Sequence, residues 1–367
     1  MKSLAGFRLF VSLLGLAAAS AHAGFTSLYV FGDGVSTTTN SPGGLMYYGN
    51  RYCNGRVWVE VLAQRQGLAF DSNKNWSFFG HYSSNLVTET DAARYTAPPD
   101  AGTALFVVWV NDADFVGDMF DIGDYNNASH GTNLAAWTDA LNHSLTNHLK
   151  IVTNLYVKGA RTLLMPNAVD VMKVPYFVHF PAANKAFVRQ RIIEFNAAFA
   201  SRLGQLKTSL TNLTIVSPDF FAVVDDVLAR AGSYGLTNAL DDEGFSIDAL
   251  TDPSLADKSL NGRGTNYIFW DYLDPTAKAS VVLADVAQRL LSPSRITGIT
   301  PLAGTNQLSL ASLPLELAGF VDATTNFTVW TPVQSFNSTN VAQTVLVGAP
   351  TPARFYRLRF PFAWSWP

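Results

Sequence analysis

The sequence predicts a three-layer α/β domain with a parallel sheet, followed by a small all-β C-terminal domain. Three observations lead there. Short, continuous apolar runs alternate with amphipathic stripes as far as Leu291, the pattern of buried parallel strands joined through helices. A Ser292-Pro293-Ser294 segment then breaks the pattern. Beyond it, alternating strand-like stretches are separated by turns rich in Asn, Gly, Thr and Pro.

Taken in order, the first 23 residues read as a signal peptide. Lys2 and Arg8 form a basic start, Phe10 to Ala19 an apolar stretch too short to span a bilayer, and Ala21-His22-Ala23 a cleavage site of small residues. The expected destination is outside the cytoplasm: secreted, periplasmic or on the cell surface. No transmembrane segment is expected in the mature chain.

Four strands are expected in the α/β domain, residues 24–292. They are Leu28-Tyr29-Val30-Phe31, the run from Ala104 to Val110, Arg161 to Met165 before Pro166, and Leu213 to Ser217. Val188, Ile192, Phe195, Phe199, Leu203 and Leu206 fall on one helical stripe, as do Ala279, Leu283, Val286 and Leu290; Trp58, Val61 and Leu62 begin another. Ligands of such sheets sit at the carboxyl ends of the strands. The β module, residues 293–367, contains strand patterns at Gln343–Val347 and Phe355–Phe360. It carries two acidic residues, Glu316 and Asp322, and no histidine, so packing or attachment is its expected role. It ends in an aromatic tail with Trp364 and Trp366.

Composition narrows the function classes. Charged residues are 14% of the chain, and removing the leader moves the formal net charge from −3 to −5. No basic patch exists to neutralise phosphates, so nucleic acid is not an expected partner. The single cysteine, Cys53, allows no intrachain disulfide, and in its run of aromatic and small residues, Tyr52-Cys53-Asn54-Gly55, it reads as an ordinary thiol and not a nucleophile.

Four short motifs in the α/β domain have chemical character. Phe31-Gly32-Asp33-Gly34 follows the first strand, and Asn54-Gly55-Arg56-Val57-Trp58 opens the first helix. Trp109-Val110-Asn111-Asp112 ends the second strand, and Asp271-Tyr272-Leu273-Asp274-Pro275-Thr276 precedes the last helix. In this order they resemble the SGNH (GDSL-type) ester hydrolases, a lipase and esterase family with a flavodoxin-like sheet. Pro166, Asn196 and Asp219 fit lesser features of that family, and the resemblance covers the first domain nearly end to end.

The resemblance implies hydrolysis of carboxylic esters without a cofactor or metal. It assigns Asp271 the role of orienting a histidine base, and it makes an oxyanion hole from the Gly34 and Gly55 amides and the Asn111 side chain. The nucleophilic serine and the histidine are replaced: Gly34 and Asp274 stand in their places. The glycine common two residues before the asparagine is also absent. Triad groups act as a unit, so the serine mechanism is expected to be weak or lost. Restoring both groups is expected to create esterase activity.

Ser36 is the one alternative nucleophile near the first motif, although two residues of displacement spoil attack geometry. His81, in a loop bordering the expected cleft, reads as an ordinary loop histidine. Asp33, Asp271 and Asp274 are expected to converge, with Asp112, Asp114, Asp118, Asp121 and Asp124 along the rim. Such a cluster can pair an acid with a base or hold a hard cation. The structural reading is that Asp274 caps the helix that Pro275 begins and that the rim acids are solvated.

Three functions remain open. One is ester hydrolysis; another is binding of an ester, acyl or carbohydrate ligand by a pseudoenzyme. The third is a surface or structural role through the C-terminal module.

Overall fold

The computed structural model describes residues 24–40, 43–91, 93–121, 132–348 and 354–362, with the side chains of 119–121 excepted. The leader, Asp124, His130 and the tail tryptophans lie outside the described residues, as does the Asp121 side chain.

Four parallel strands form the central sheet: β1 (Leu28–Gly32), β2 (Leu105–Trp109), β3 (Thr162–Leu164) and β4 (Thr214–Val216), in the order β1-β2-β3-β4. All four coincide with the apolar runs. Alternate side chains feed two cores. Leu28, Val30, Leu105 and Val107 pack against α1 (Trp58–Arg65) and α7 (Ala277–Leu291). Tyr29, Phe31, Phe106 and Val108 face the opposite layer. That layer contains α2 (Ser83–Thr90), α4 (Leu134–Val157) and α5 (Ala182–Ser209), so the domain has three layers. Two shorter helices, α3 (Asn111–Asp121) and α6 (Phe220–Ala229), follow β2 and β4.

Along the free side of β1 runs Asn75–Phe78. Trp76 N donates to Val30 O at 2.7 Å and Phe78 N to Gly32 O at 3.2 Å. Gly32 makes this approach possible: a Cβ there would stand 2.8 Å from Trp109 O and 3.0 Å from Ser77 Oγ. The segment therefore leaves β1 with Phe79 delivered beside the turn at Asp33-Gly34.

The α5 stripe is buried from Val188 to Leu203 as expected. In α7 the expectation needs correction. Leu290 is half-exposed, whereas Val281, Val282, Ala284 and Ala287 are buried; the helix is covered by both the sheet and α1, so burial exceeds one stripe.

After α7 come two three-stranded antiparallel sheets. The strands are β5 (Arg295–Leu302), β6 (Thr305–Ala311), β7 (Ala318–Thr324), β8 (Thr331–Asn337), β9 (Ala342–Gly348) and β10 (Phe355–Arg359), in the orders β5-β6-β9 and β10-β7-β8. Leu308, Leu310, Val321, Val345 and Val347 form their common core. Arg65 joins them to the α/β layers. Its guanidinium meets the buried Asp285 at 2.9 Å and also donates to Leu315 O and Glu316 O. No described helix is long and apolar enough to cross a membrane.

Candidate ligand site

The site is built at the carboxyl ends of β1 and β2. The turn after β1 is a single 3-10 turn, Gly34–Ser36, whose first amides are capped by Asp33: its Oδ1 accepts from Val35 N at 3.2 Å. Asp112 lies in the first turn of α3, where its Oδ1 accepts from Val169 N at 2.8 Å. Asp274 approaches from the loop before α7. These three carboxyls and Gly34 share one cavity of about 360 Å³, whose remaining wall is mainly apolar, including Val116, Val174, Val227, Leu273 and Leu283.

Gly34 and Asp274 face each other. A Cβ on Gly34 would be 3.6 Å from Asp274 Oδ1. The same Cβ would stand 2.8 Å from Phe79 Cδ2. Phe79 is not loose there: its ring stacks on Tyr52 with centroids 4.4 Å apart. An aromatic ring thus occupies the approach that a side chain at residue 34 would need.

Asp274 does not cap the helix. Thr276 does, its hydroxyl accepting from Ala279 N at 3.2 Å, and Asn54 Oδ1 accepts from Ala277 N at 2.8 Å. With these amides already served, the Asp274 carboxyl turns into the cavity. It is buried, with its carboxyl within hydrogen-bonding reach of the Asp271 carboxyl. Asp271 lies behind it. Its Oδ1 accepts from Leu273 N at 3.0 Å and Asp274 N at 2.8 Å, and its Oδ2 from Tyr47 Oη at 3.1 Å. Asp271 so fixes the loop that aims Asp274.

Burial dominates the electrostatics. It raises Asp33 to about 7 and Asp271 to about 6, opposed in both by backbone amides. Asp112 and Asp274 are pushed well above the usual carboxylate range by burial first, then by the charges of Asp33 and Asp271 respectively. Burial thus makes all four carboxyls hold their protons to higher pH than free side chains do.

The other expected residues are placed elsewhere. Ser36 is fully buried, and its Oγ accepts from Trp58 Nε1 at 3.0 Å; it does not line the cavity. Asn111 is buried with its Nδ2 donating to Pro166 O at 3.0 Å. The Gly55 amide faces the buried Cys53 sulfur, whose thiol pKa burial raises. Neither Gly55 nor Asn111 is part of the cavity wall, so only Gly34 of the expected oxyanion donors lies there. Asp114 is not a solvated rim acid. It is buried, accepting from Ser83 N at 2.7 Å and from Ser144 Oγ. Asp118 is half-buried on α3. His81 turns from the cavity to Glu89, at 3.4 Å.

Several contributors lie outside the four motifs. Phe79, Tyr82, Tyr176 and Tyr272 line the cavity, the tyrosines each being partly exposed. Tyr82 lies tight against α3, where a Cβ on Gly117 would approach its Cε1 to 2.6 Å. Tyr176 and Tyr272 pair with ring centroids 5.2 Å apart. The sequence signal for Phe79 and Tyr82 is their place either side of Gly80-His81, in the loop bordering the cleft. Among the described residues no cluster of His, Cys, Asp and Glu has the arrangement of a metal site.

No protein-family model matches the chain, and no curated protein matches it. Solved structures do show similarity. An acetylxylan esterase from Geobacillus stearothermophilus is 11% identical, covering 73% of this chain and 94% of its own, with a TM-score of 0.40. An extracellular lipase from Streptomyces rimosus is 13% identical over 72% of this chain and 99% of its own, TM-score 0.42. Phospholipase A1 from Streptomyces albidoflavus is 14% identical over 73% and 100%, TM-score 0.40. At scores of this size the likeness carries no argument about chemistry.

Proposed function

We propose that this chain is an exported protein on an SGNH-type scaffold that binds a small, largely apolar ligand and does not hydrolyse esters through a serine. One observation carries the reading: the Phe79 ring stands where the side chain at residue 34 would have to project, opposite Asp274 instead of an imidazole. Gly34 supplies no nucleophile. Asp274, a carboxyl, stands where the imidazole base would. The cavity persists despite these losses, and its apolar wall suits an acyl or aryl body better than a carbohydrate. Residues 24–292 would then form the binding domain and residues 293–367 a packing module held through Arg65.

The reading is tested with a neutral apolar fluorophore titrated into the mature protein, followed by competition with short acyl and aryl esters. Saturable one-site binding, abolished by Val116→Trp in a folded variant and accompanied by no ester turnover, is the expected result. Turnover of the competing esters, or binding indifferent to Val116→Trp, contradicts it.

A further inference from the structure

The cavity crosses the carboxyl ends of the whole central sheet. Gly34 contributes to its wall after β1, Val116 on α3 after β2, Val174 after β3 and Val227 on α6 after β4. The strands stand in the order β1-β2-β3-β4. At about 4.8 Å between neighbours, the three gaps make a trough of roughly 14 Å. Leu273 and Leu283 line it from α7 and the loop before that helix. Phe79 closes the β1 end. Asn75–Phe78 hydrogen-bonds along the free side of β1, and Phe79 is the next residue. Its ring is wedged: on one side Cδ2 lies 2.8 Å from where a Gly34 Cβ would be, and on the other the ring stacks on Tyr52 at 4.4 Å. Tyr52 is backed in turn by Tyr47, with centroids 5.8 Å apart, and Tyr47 Oη donates to Asp271 at 3.1 Å. Phe79 is thus supported on the side away from Gly34, and it fills the room that a side chain at residue 34 would take.

Resting on the binding reading above, we infer that the ligand is an unbranched hydrocarbon chain lying along this trough, and that Phe79 sets its length. A chain gains contact with every methylene added, each worth roughly fourfold in affinity when buried, until its end meets a wall. A compact body of the same carbon count cannot touch both the α6 end and the Phe79 end. Glycine at residue 34 matters because any side chain there would compete with the Phe79 ring for one space. Without the ring, the Tyr52 face behind it becomes the new end. A vacated apolar hole takes a hydrocarbon group of its own size.

Displacement of N-phenyl-1-naphthylamine, a neutral apolar fluorophore, from the mature protein by the primary alcohols from 1-butanol to 1-dodecanol reads that length. In the parent protein affinity is expected to climb roughly fourfold per methylene and then level off within the series. Phe79→Ala is expected to move the levelling point about three methylenes longer, the room of the vacated ring, and Phe79→Trp to move it shorter. Phe79→Leu serves if the alanine variant does not fold, with a smaller shift in the same direction. Val227→Phe, at the opposite end, also moves it shorter. Levelling at the same alcohol in the parent and in folded Phe79→Ala or Phe79→Leu overturns the inference, as does a climb without levelling in the parent. Fluorophore binding that no alcohol displaces overturns it too. In these cases the apolar-ligand reading stands. No saturable binding of the fluorophore or of any alcohol overturns both.

Discussion

Phe79 stands in front of Gly34: a Cβ at residue 34 would meet Phe79 Cδ2 at 2.8 Å, and Phe79 is braced by its stack on Tyr52. This contact changes what restoring the lost groups is expected to do. Gly34→Ser with Asp274→His forces a clash before any chemistry. The double variant is expected to show no ester turnover, in contrast to the expectation from sequence. Adding Phe79→Ala removes the obstruction, so any gain in hydrolysis of an aryl acetate should come only from the triple variant. A double variant as active as the triple would mean that Phe79 swings aside freely.

The raised carboxyls govern stability against pH. Asp33 and Asp271 titrate near 7 and 6 in the folded protein, against 3.8 for the free side chain, so the folded state holds more protons than the unfolded state between these limits. Their contribution to stability is complete below the unfolded value and declines as pH climbs through the folded values. Asp112 and Asp274 act in the same direction. Melting temperature is expected to fall from pH 5 to pH 8. Asp274→Asn should flatten that slope and stabilise the protein at pH 8. A slope unchanged by the substitution counts against the buried, proton-holding Asp274.

Ser36 serves the core. Ser36→Ala deprives the buried Trp58 Nε1 of its acceptor and is expected to cost about 1–3 kcal/mol in denaturant unfolding. Ligand affinity at the cavity should stay the same. A loss of affinity without a loss of stability would bring Ser36 into the site.

Arg65 holds a buried Asp285 and two carbonyls of the β5–β10 layers at once. Arg65→Ala leaves Asp285 buried and unpaired, which costs about 3–5 kcal/mol. Limited proteolysis of this variant is expected to cut near residues 292–294 faster than in the parent chain. Equal cleavage rates would show that the two parts are held by other contacts.

The fold is readable because buried parallel strands leave continuous apolar runs, and all four strands carry one. Helix α5 announced itself by an uninterrupted stripe. Helix α4 is masked in the sequence although Leu141, Leu145, Val152 and Leu155 have helical spacing, because the buried Ser144, Asn147 and His148 make its inner face look polar. The order of the site motifs was also legible, but their spatial content was not. Whether Asp274 caps a helix or enters a cavity depends on Thr276 and Asn54 having taken the α7 amides, and Asn54 is distant in sequence. The obstruction by Phe79 follows from the pairing of Asn75–Phe78 alongside β1, a register that no local pattern encodes.

The central claim is that this cavity binds without serine-dependent hydrolysis. Its most direct test is release of 4-nitrophenol from short-chain 4-nitrophenyl esters by the mature protein from pH 5 to pH 9, with Ser36→Ala and Asp274→Asn in parallel. Rates equal to the buffer blank are expected for all three proteins at every pH. Turnover by the parent protein that disappears in either variant would contradict it and make the altered residue part of a working catalytic site.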